Sequence, residues 1–283
     1  MGEGTGNKPR SHEYELGHTA QELNRLNTQA RLVDPFTRWY FREAGIGEGM
    51  RVLDVGSGAG DVAFLAAELV GKTGEVVGTD RSPTAIAAAT VRANSRGLHN
   101  VSFQLGNPAE LRFDHPFDAA VGRYVLMFNS DPAALLGGIA RHVRPGGIVV
   151  FHEVEWTTVK SSPTVSLYDQ CCRWIIETFE KVGTDPYIGK AMYHAFQKAG
   201  LPPPTMSLSA LFGGGANERN GAGLIADLAV TMAPVMEQHG VVTQAALDPA
   251  TLKKRMISEI VDRGSVVTGR SEVGAWSRVP ETL

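Results

Sequence analysis

Apolar positions along this chain follow two rhythms that take turns. Between Arg51 and Trp156, RVLDV (51–55), EVVGTD (75–80), VSFQLG (101–106), FDAAVGRYVLMF (117–128) and GGIVVFHEVEW (146–156) carry short β-branched runs and are predicted to hold strands. DVAFLAAELVG, SPTAIAAATVRANSRG and DPAALLGGIARHV lie between them and have the longer, alanine- and leucine-rich pattern of helices. The strand runs lack clean polar–apolar alternation, so they are expected to be buried on both faces. Strands alternating with helices over short connections predict a parallel, doubly wound α/β sheet with right-handed crossovers.

The flanks read differently. The first twelve residues are polar and are expected to be mobile. TAQELNRLNTQARLVDP predicts a helix with Thr19 as N-cap, stopped by Asp34-Pro35, and FTRWYFREAG a second one ending at Gly45. After Trp156, SLYDQCCRWIIETFEKVG and GKAMYHAFQKAG are predicted helices, PTMSLSALFGGG a strand and SEVGAWSRV the last strand. Two further helices, GLIADLAVTMAPVMEQHG and PATLKKRMISEIVDRG, fall in an insertion at about 213–264 between those last two strands. The expected organisation is a helical lid segment over 1–45 and one domain over 46–283 carrying that insertion. Leu224, Ile225, Leu228, Met232, Val235 and Met236 form an apolar stripe in the insertion. It reads either as core or as a pliable cover over an apolar ligand.

Composition narrows the function classes. The 283 residues carry a net charge of -3 and no basic block, so no nucleic-acid footprint is expected. No apolar stretch approaches the roughly 20 residues of a membrane span, and the N-terminus has no signal-like apolar run. The two cysteines, Cys171 and Cys172, are adjacent and ill placed for a disulfide, which suggests one core thiol, one bystander and a reducing cytoplasm. Neither CxxC nor HExxH occurs, so no metal site is expected. The helices ahead of the sheet leave a homo-oligomer open.

The chemistry is announced by VLDVGSGAGD, at the junction of a predicted strand and helix. Glycines at 56, 58 and 60 bring backbone close to a ligand, and the helix start offers free N–H groups. A dinucleotide site would have GxGxxG, but Asp61 stands at the third glycine's position. A carboxylate there repels a pyrophosphate. With Asp54 it favours a cationic ligand that has an adenosine portion and no phosphate. Asp80 ends the next strand about 20 residues on, where an acid accepts both hydroxyls of a ribose.

These segments resemble the class I S-adenosylmethionine-dependent methyltransferases over roughly residues 50–155. VLDVGSGAGD is similar to their first motif, VVGTDRS to the ribose-binding second, and LGNPAEL to the adenine-contacting segment. FDAAVGRYVLMF and RPGGIVVF resemble the fourth strand and the turn and strand that follow. The resemblance implies a Rossmann-like seven-stranded sheet with an antiparallel last strand, and S-adenosyl-L-methionine as cofactor. It points to Asp54, Gly56, Ser57, Gly58, Asp61, Asp80 and Arg81 as cofactor residues. It places Gly122, Arg123 and Tyr124 near the methionine part, with Gln29 reaching the same end. Asn107 stands where the family often has an acid on the adenine amino group, and its amide oxygen can accept that bond. Pro108 has no N–H for the adenine ring, so Ala109 is expected to supply one.

Methyl transfer needs alignment more than a covalent intermediate, and an acidic acceptor such as a phenol also needs a general base. His152 and Glu155, at the carboxyl edge of the fifth strand, are the candidate bases, with Glu153 pointing the other way. Tyr14 in the N-terminal segment EYELGH, which also holds His18, is a candidate for closing the pocket or orienting the acceptor. GRYV after the fourth strand lacks the Asn/Asp-Pro-Pro-Tyr/Phe element of amino-methylating enzymes, and no carboxylate set for magnesium assembles. The expected acceptor is a fairly apolar small molecule (a phenol, quinone-like ring, terpenoid or indole-derived metabolite) methylated on oxygen or carbon. The pattern resembles the ubiquinone/menaquinone-type and bacterial natural-product methyltransferases. Two other readings stay open: a cofactor-binding cyclase or scaffold without methyl transfer, and a nicotinamide-dependent oxidoreductase.

Overall fold

The computed structural model describes residues 20–217 and 221–281; Tyr14, His18 and Thr19 lie outside them, as does the side chain of Gln29. Eight strands among the described residues form one sheet: β1 (Arg51–Val55), β2 (Glu75–Asp80), β3 (Val101–Leu105), β4 (Phe117–Arg123), β5 (Val143–Glu155), β6 (Lys160–Ser162), β7 (Thr205–Gly214) and β8 (Val266–Arg278). The order runs β3-β2-β1-β4-β5-β8, with β7 along the far side of β8. The first five strands pair in parallel, and β8 is antiparallel to β5, β6 and β7. The three-residue β6, too short to show a period, raises the strand number above the expected seven. It continues the β5 side of β8 beyond the end of β5.

Burial on both faces holds for β1, β2, β4 and β5 and fails for β3 and β7. Those two are edge strands, and β7 has no fully buried residue at all.

Helices flank both faces. On one, α1 (Ala20–Ala44) and α2 (Asp61–Val70) enclose Phe41, Ile46, Val62, Leu65, Ile148 and Val150. On the other, α4 (Pro132–Ala140), α5 (Ser166–Val182) and α6 (Ile188–Lys198) pack Leu136, Phe151, Ile175, Met192 and Phe196. α3 (Pro83–Ser95) follows β2, capped by the Ser82 hydroxyl on the Ala85 N–H. Between β7 and β8 run α7 (Ala222–Gln238), a one-turn α8 (Gln244–Leu247) and α9 (Leu252–Asp262). Ile225, Leu228, Met232 and Met236 of α7 are buried in the same core, with Leu224 also buried and Val235 half-buried, so most of the stripe is core packing rather than a loose cover. Both Cys171 and Cys172 are buried, so neither is a bystander; burial pushes the Cys171 thiol up to about 12.

The predicted break at Asp34-Pro35 is absent: α1 passes through Pro35 as one helix. Proline removes one backbone bond, but Val33, Thr37, Tyr40 and Phe41 on either side of it are fully buried. The apolar stripe held against the sheet outweighs the local preference. Gly274 of β8 leaves room for the Tyr40 ring, where a Cβ would come within 2.4 Å of it.

Candidate functional site

The site lies at the carboxyl ends of β1, β2, β4 and β5. The turn after β1 is left-handed at Gly56 and Gly58, with φ of 65° and 52°, a region open to glycine and strained for other residues. A Cβ on Gly56 would strike Val125 at 2.8 Å, whereas one on Gly58 would meet nothing within 4 Å. The turn therefore packs against the β4 loop on one side and is open on the other.

Asp80 holds this turn. Its carboxylate accepts the Gly58 N–H at 2.9 Å through one oxygen and the Ser82 N–H at 2.8 Å through the other. Each oxygen keeps a second lone pair for an outside donor. Arg81 beside it is exposed. Asp54 is fully buried, neither of its oxygens has a hydrogen-bond partner, and the Ser57 hydroxyl is equally unpartnered. Burial pushes the Asp54 carboxyl well above the usual carboxylate range, with the Arg123 charge pulling the other way.

Several expected roles change. Asp61 is not free for a cationic ligand, because Arg92 pairs with it at 2.6 Å. The two face a cavity of about 360 Å³ between α1, α2 and α3, also lined by Asp34, Arg38, Phe64 and Glu68; of the glycine turn's acids it meets only Asp61. Ala109 does not present a free N–H, since it donates to Asn107 Oδ1 at 3.2 Å in a local Asx turn. The other end of that amide donates to Glu110, and the Pro108 carbonyl is bonded to His142 Nε2 at 2.8 Å. Gly122 is buried, and its Cα faces Phe151, 2.4 Å from where a Cβ would stand.

His152 and Glu155 are not available as bases. Glu155 is buried; one oxygen accepts the Thr157 N–H at 3.0 Å and the other the Lys190 N–H at 3.2 Å, at the start of α6. Glu153 faces away from His152 and accepts the Val125 and Leu126 N–H groups, both at 2.7 Å. It thereby fixes the 3₁₀ turn Leu126–Phe128. Burial pushes its carboxyl up to about 8.

His152 has no exposed surface and sits inside a directed network. Arg123 Nη1 donates to Asp34 at 2.7 Å and to Thr37 Oγ1 at 2.9 Å. The Thr37 hydroxyl lies 2.9 Å from His152 Nδ1, and His152 Nε2 lies 2.9 Å from Glu272 Oε2. Glu272 as a carboxylate can only accept, so Nε2 carries the proton and Nδ1 accepts from Thr37. The same oxygen accepts the Tyr124 hydroxyl at 2.6 Å, and Arg270 donates to Glu272 Oε1 at 3.0 Å and to the Tyr124 oxygen at 3.1 Å. Burial raises the Glu272 carboxyl, but the Arg270 charge and the His152 and Tyr124 bonds win and bring it to about 2. Burial lowers the His152 pKa and keeps the ring neutral. Tyr124 takes a left-handed φ of 56°, tolerated because its hydroxyl and ring are tied down.

Thr37, Asp34, Arg270 and Glu272 were missed by sequence reasoning. A glutamate and an arginine two apart inside or beside a predicted strand were the available signal.

The sequence profile of a methyltransferase-domain family matches residues 46–200. The chain belongs to this family. A curated relative of this methyltransferase-domain chain, an uncharacterised protein of Mycobacterium tuberculosis (strain ATCC 25618 / H37Rv), is 37% identical over 116 residues, 40% of each chain. The demethylmenaquinone methyltransferase of Geobacillus stearothermophilus is 32% identical over 151 residues, 52% of this chain and 62% of the relative. The chain thus spans between two fifths and about three fifths of these relatives. A solved geranyl diphosphate C-methyltransferase from Streptomyces coelicolor A3(2) shares the fold, at 16% identity and a TM-score of 0.54 over 95% of this chain and 86% of that one.

S-adenosylmethionine, the methyl donor of such folds, fits the residues present. The glycine turn is open at Gly58, Asp80 has spare lone pairs, and the buried Asp54 carboxyl and Ser57 hydroxyl await partners. No helix among the described residues is long and apolar enough to cross a membrane.

Proposed function

We propose that this chain transfers a methyl group from S-adenosylmethionine to an oxygen or carbon of a fairly apolar small molecule. The observation that carries the reading is the unpartnered Asp54 carboxyl under a glycine turn pinned by Asp80. When bound, S-adenosylmethionine supplies an electrophilic methyl on a sulfonium. Asp80 offers lone pairs to the ribose hydroxyls, and Gly58 leaves room for the adenosyl part. Asp54 and Ser57 offer an acceptor set for the cationic end. With His152 and Glu155 committed to the scaffold, the residues act by aligning acceptor and methyl, and the acceptor's proton passes to solvent, before transfer from an oxygen or after it from a carbon. The relatives' match to a quinone-ring methyltransferase agrees with a planar, apolar acceptor.

Calorimetric titration with S-adenosylmethionine, S-adenosylhomocysteine and NAD tests the reading. Both adenosyl compounds are expected to bind and NAD not to. Asp80→Ala removes two charge-assisted bonds as well as the ribose acceptor, so it weakens adenosyl binding by about tenfold to a hundredfold. Binding of NAD alone would overturn the proposal.

A further inference from the structure

Beside the Glu272 network, one buried donor and one accessible donor lack partners. Arg270 directs Nε to Glu272 and Nη2 to Tyr124; its Nη1 has no hydrogen-bond partner among the described residues and belongs to the 10% of the side chain that is exposed. Trp156, the residue after β5, is 1% exposed, and its indole N–H is unpartnered. The two adjoin: the Arg270 guanidinium carbon lies 5.9 Å from the centre of the Trp156 ring and 5.2 Å from that of Tyr124. Phe179 also packs on Trp156, edge-on at 6.0 Å between ring centres.

A buried donor left unpaired is destabilising, and an accessible guanidinium N–H on the adjoining residue points to a ligand that supplies the missing acceptor. Neither a guanidinium nor an indole N–H can accept a hydrogen bond. The ligand group they match is therefore a pure acceptor, such as a carbonyl, carboxylate or phenolate oxygen, and an amine is mismatched. The surrounding faces are planar: an indole, a phenol ring and a guanidinium.

We propose that Arg270 and Trp156 form the subsite that binds an acceptor oxygen on a planar ring and so orients the molecule to be methylated. Calling that molecule the methyl acceptor rests on the function proposed above; the oxygen-binding subsite itself does not.

The test is calorimetric titration of the full chain, with saturating S-adenosylhomocysteine, using 2-naphthoate, 2-naphthol and 2-naphthylamine. The acid is expected to bind at least about tenfold more tightly than the amine. Trp156→Phe, which removes the unpaired N–H and part of a buried ring, should weaken the acid by about tenfold and leave the amine unchanged, while the lost ring volume lowers the melting temperature. Arg270→Lys, which keeps the charge and loses the planar fork, should weaken it as well. Naphthoate binding more tightly than naphthol identifies an anionic oxygen, and equal binding a neutral one. Equal affinity for acid and amine, affinities that neither variant changes, or no heat from any probe would overturn the subsite. Failure of S-adenosylhomocysteine itself to bind would instead overturn the methyltransferase reading, and the same titrations without it still judge the two donors.

Discussion

Asp54→Asn makes the ligand-free protein melt higher at pH 8 while weakening its hold on S-adenosylmethionine. The two effects share one cause. Asp54 is buried without a hydrogen-bond partner, so its folded pKa lies well above the unfolded value of about 4. The folded chain keeps a proton that the unfolded chain has released. Stability therefore falls as pH rises from about 4 toward the raised value. Asparagine has no proton to keep, so the gain in melting temperature appears at pH 8 and vanishes near pH 4. A cationic ligand reverses the balance by favouring the carboxylate. Binding then releases a proton, visible as a heat that depends on the buffer, and affinity rises with pH. Removing the charge is expected to weaken binding by about a hundredfold. A variant that is less stable at pH 8, or that binds the cofactor as tightly as the parent, would show that this carboxyl does not face the cation.

Glu272→Gln is expected to destabilise the protein by about 3–5 kcal/mol, because it leaves Arg270 buried without its counter-charge. The melting temperature should fall on the order of ten degrees. The pH dependence carries the signature. The folded Glu272 pKa is about 2, so its contribution is present above the unfolded value of about 4.3 and is lost as pH falls through the folded one. His152, neutral in the fold, adds acid lability below about pH 6.5, where the unfolded ring takes up a proton. The wild type is expected to lose stability steadily from about pH 6.5 downward, and the variant to lose less of it below about pH 4. Thermal melts over that range measure both slopes. Parallel slopes would mean that the carboxylate does not hold the network.

The features legible in the sequence were those whose causes are local. The glycine turn, Asp80 at a strand end and the strand–helix alternation each occupy a few contiguous residues, and the structure has them where the pattern implies. β6 is three residues long and α8 one turn, below the length at which a period can be seen. Pro35 is a true breaker signal, overridden by buried contacts that no window around it contains. His152 and Glu155 show the same limit in the site. Their position at the sheet edge was readable, but the partners that consume them were not. Glu272 lies 120 residues from His152, and Thr37 lies 115 in the other direction. Distance along the chain carries no periodic trace, so a strand-end histidine looks the same whether it faces substrate or a buried carboxylate.

The placement of β8 has a consequence for how the molecule is made. This strand separates β5 from β7, pairs with three others and carries both Arg270 and Glu272, yet it is the last of the described strands to leave the ribosome. Until then β5 and β7 each expose an open edge, and His152 has no acid to meet. Stalled nascent chains ending before Val266 should be cut readily by protease within β7, while those extended past Arg278 and clear of the exit tunnel should resist. Translation thus leaves the slot between β5 and β7 open until the final strand threads into it, and the two unpaired edges are where a growing chain would be prone to misassociate.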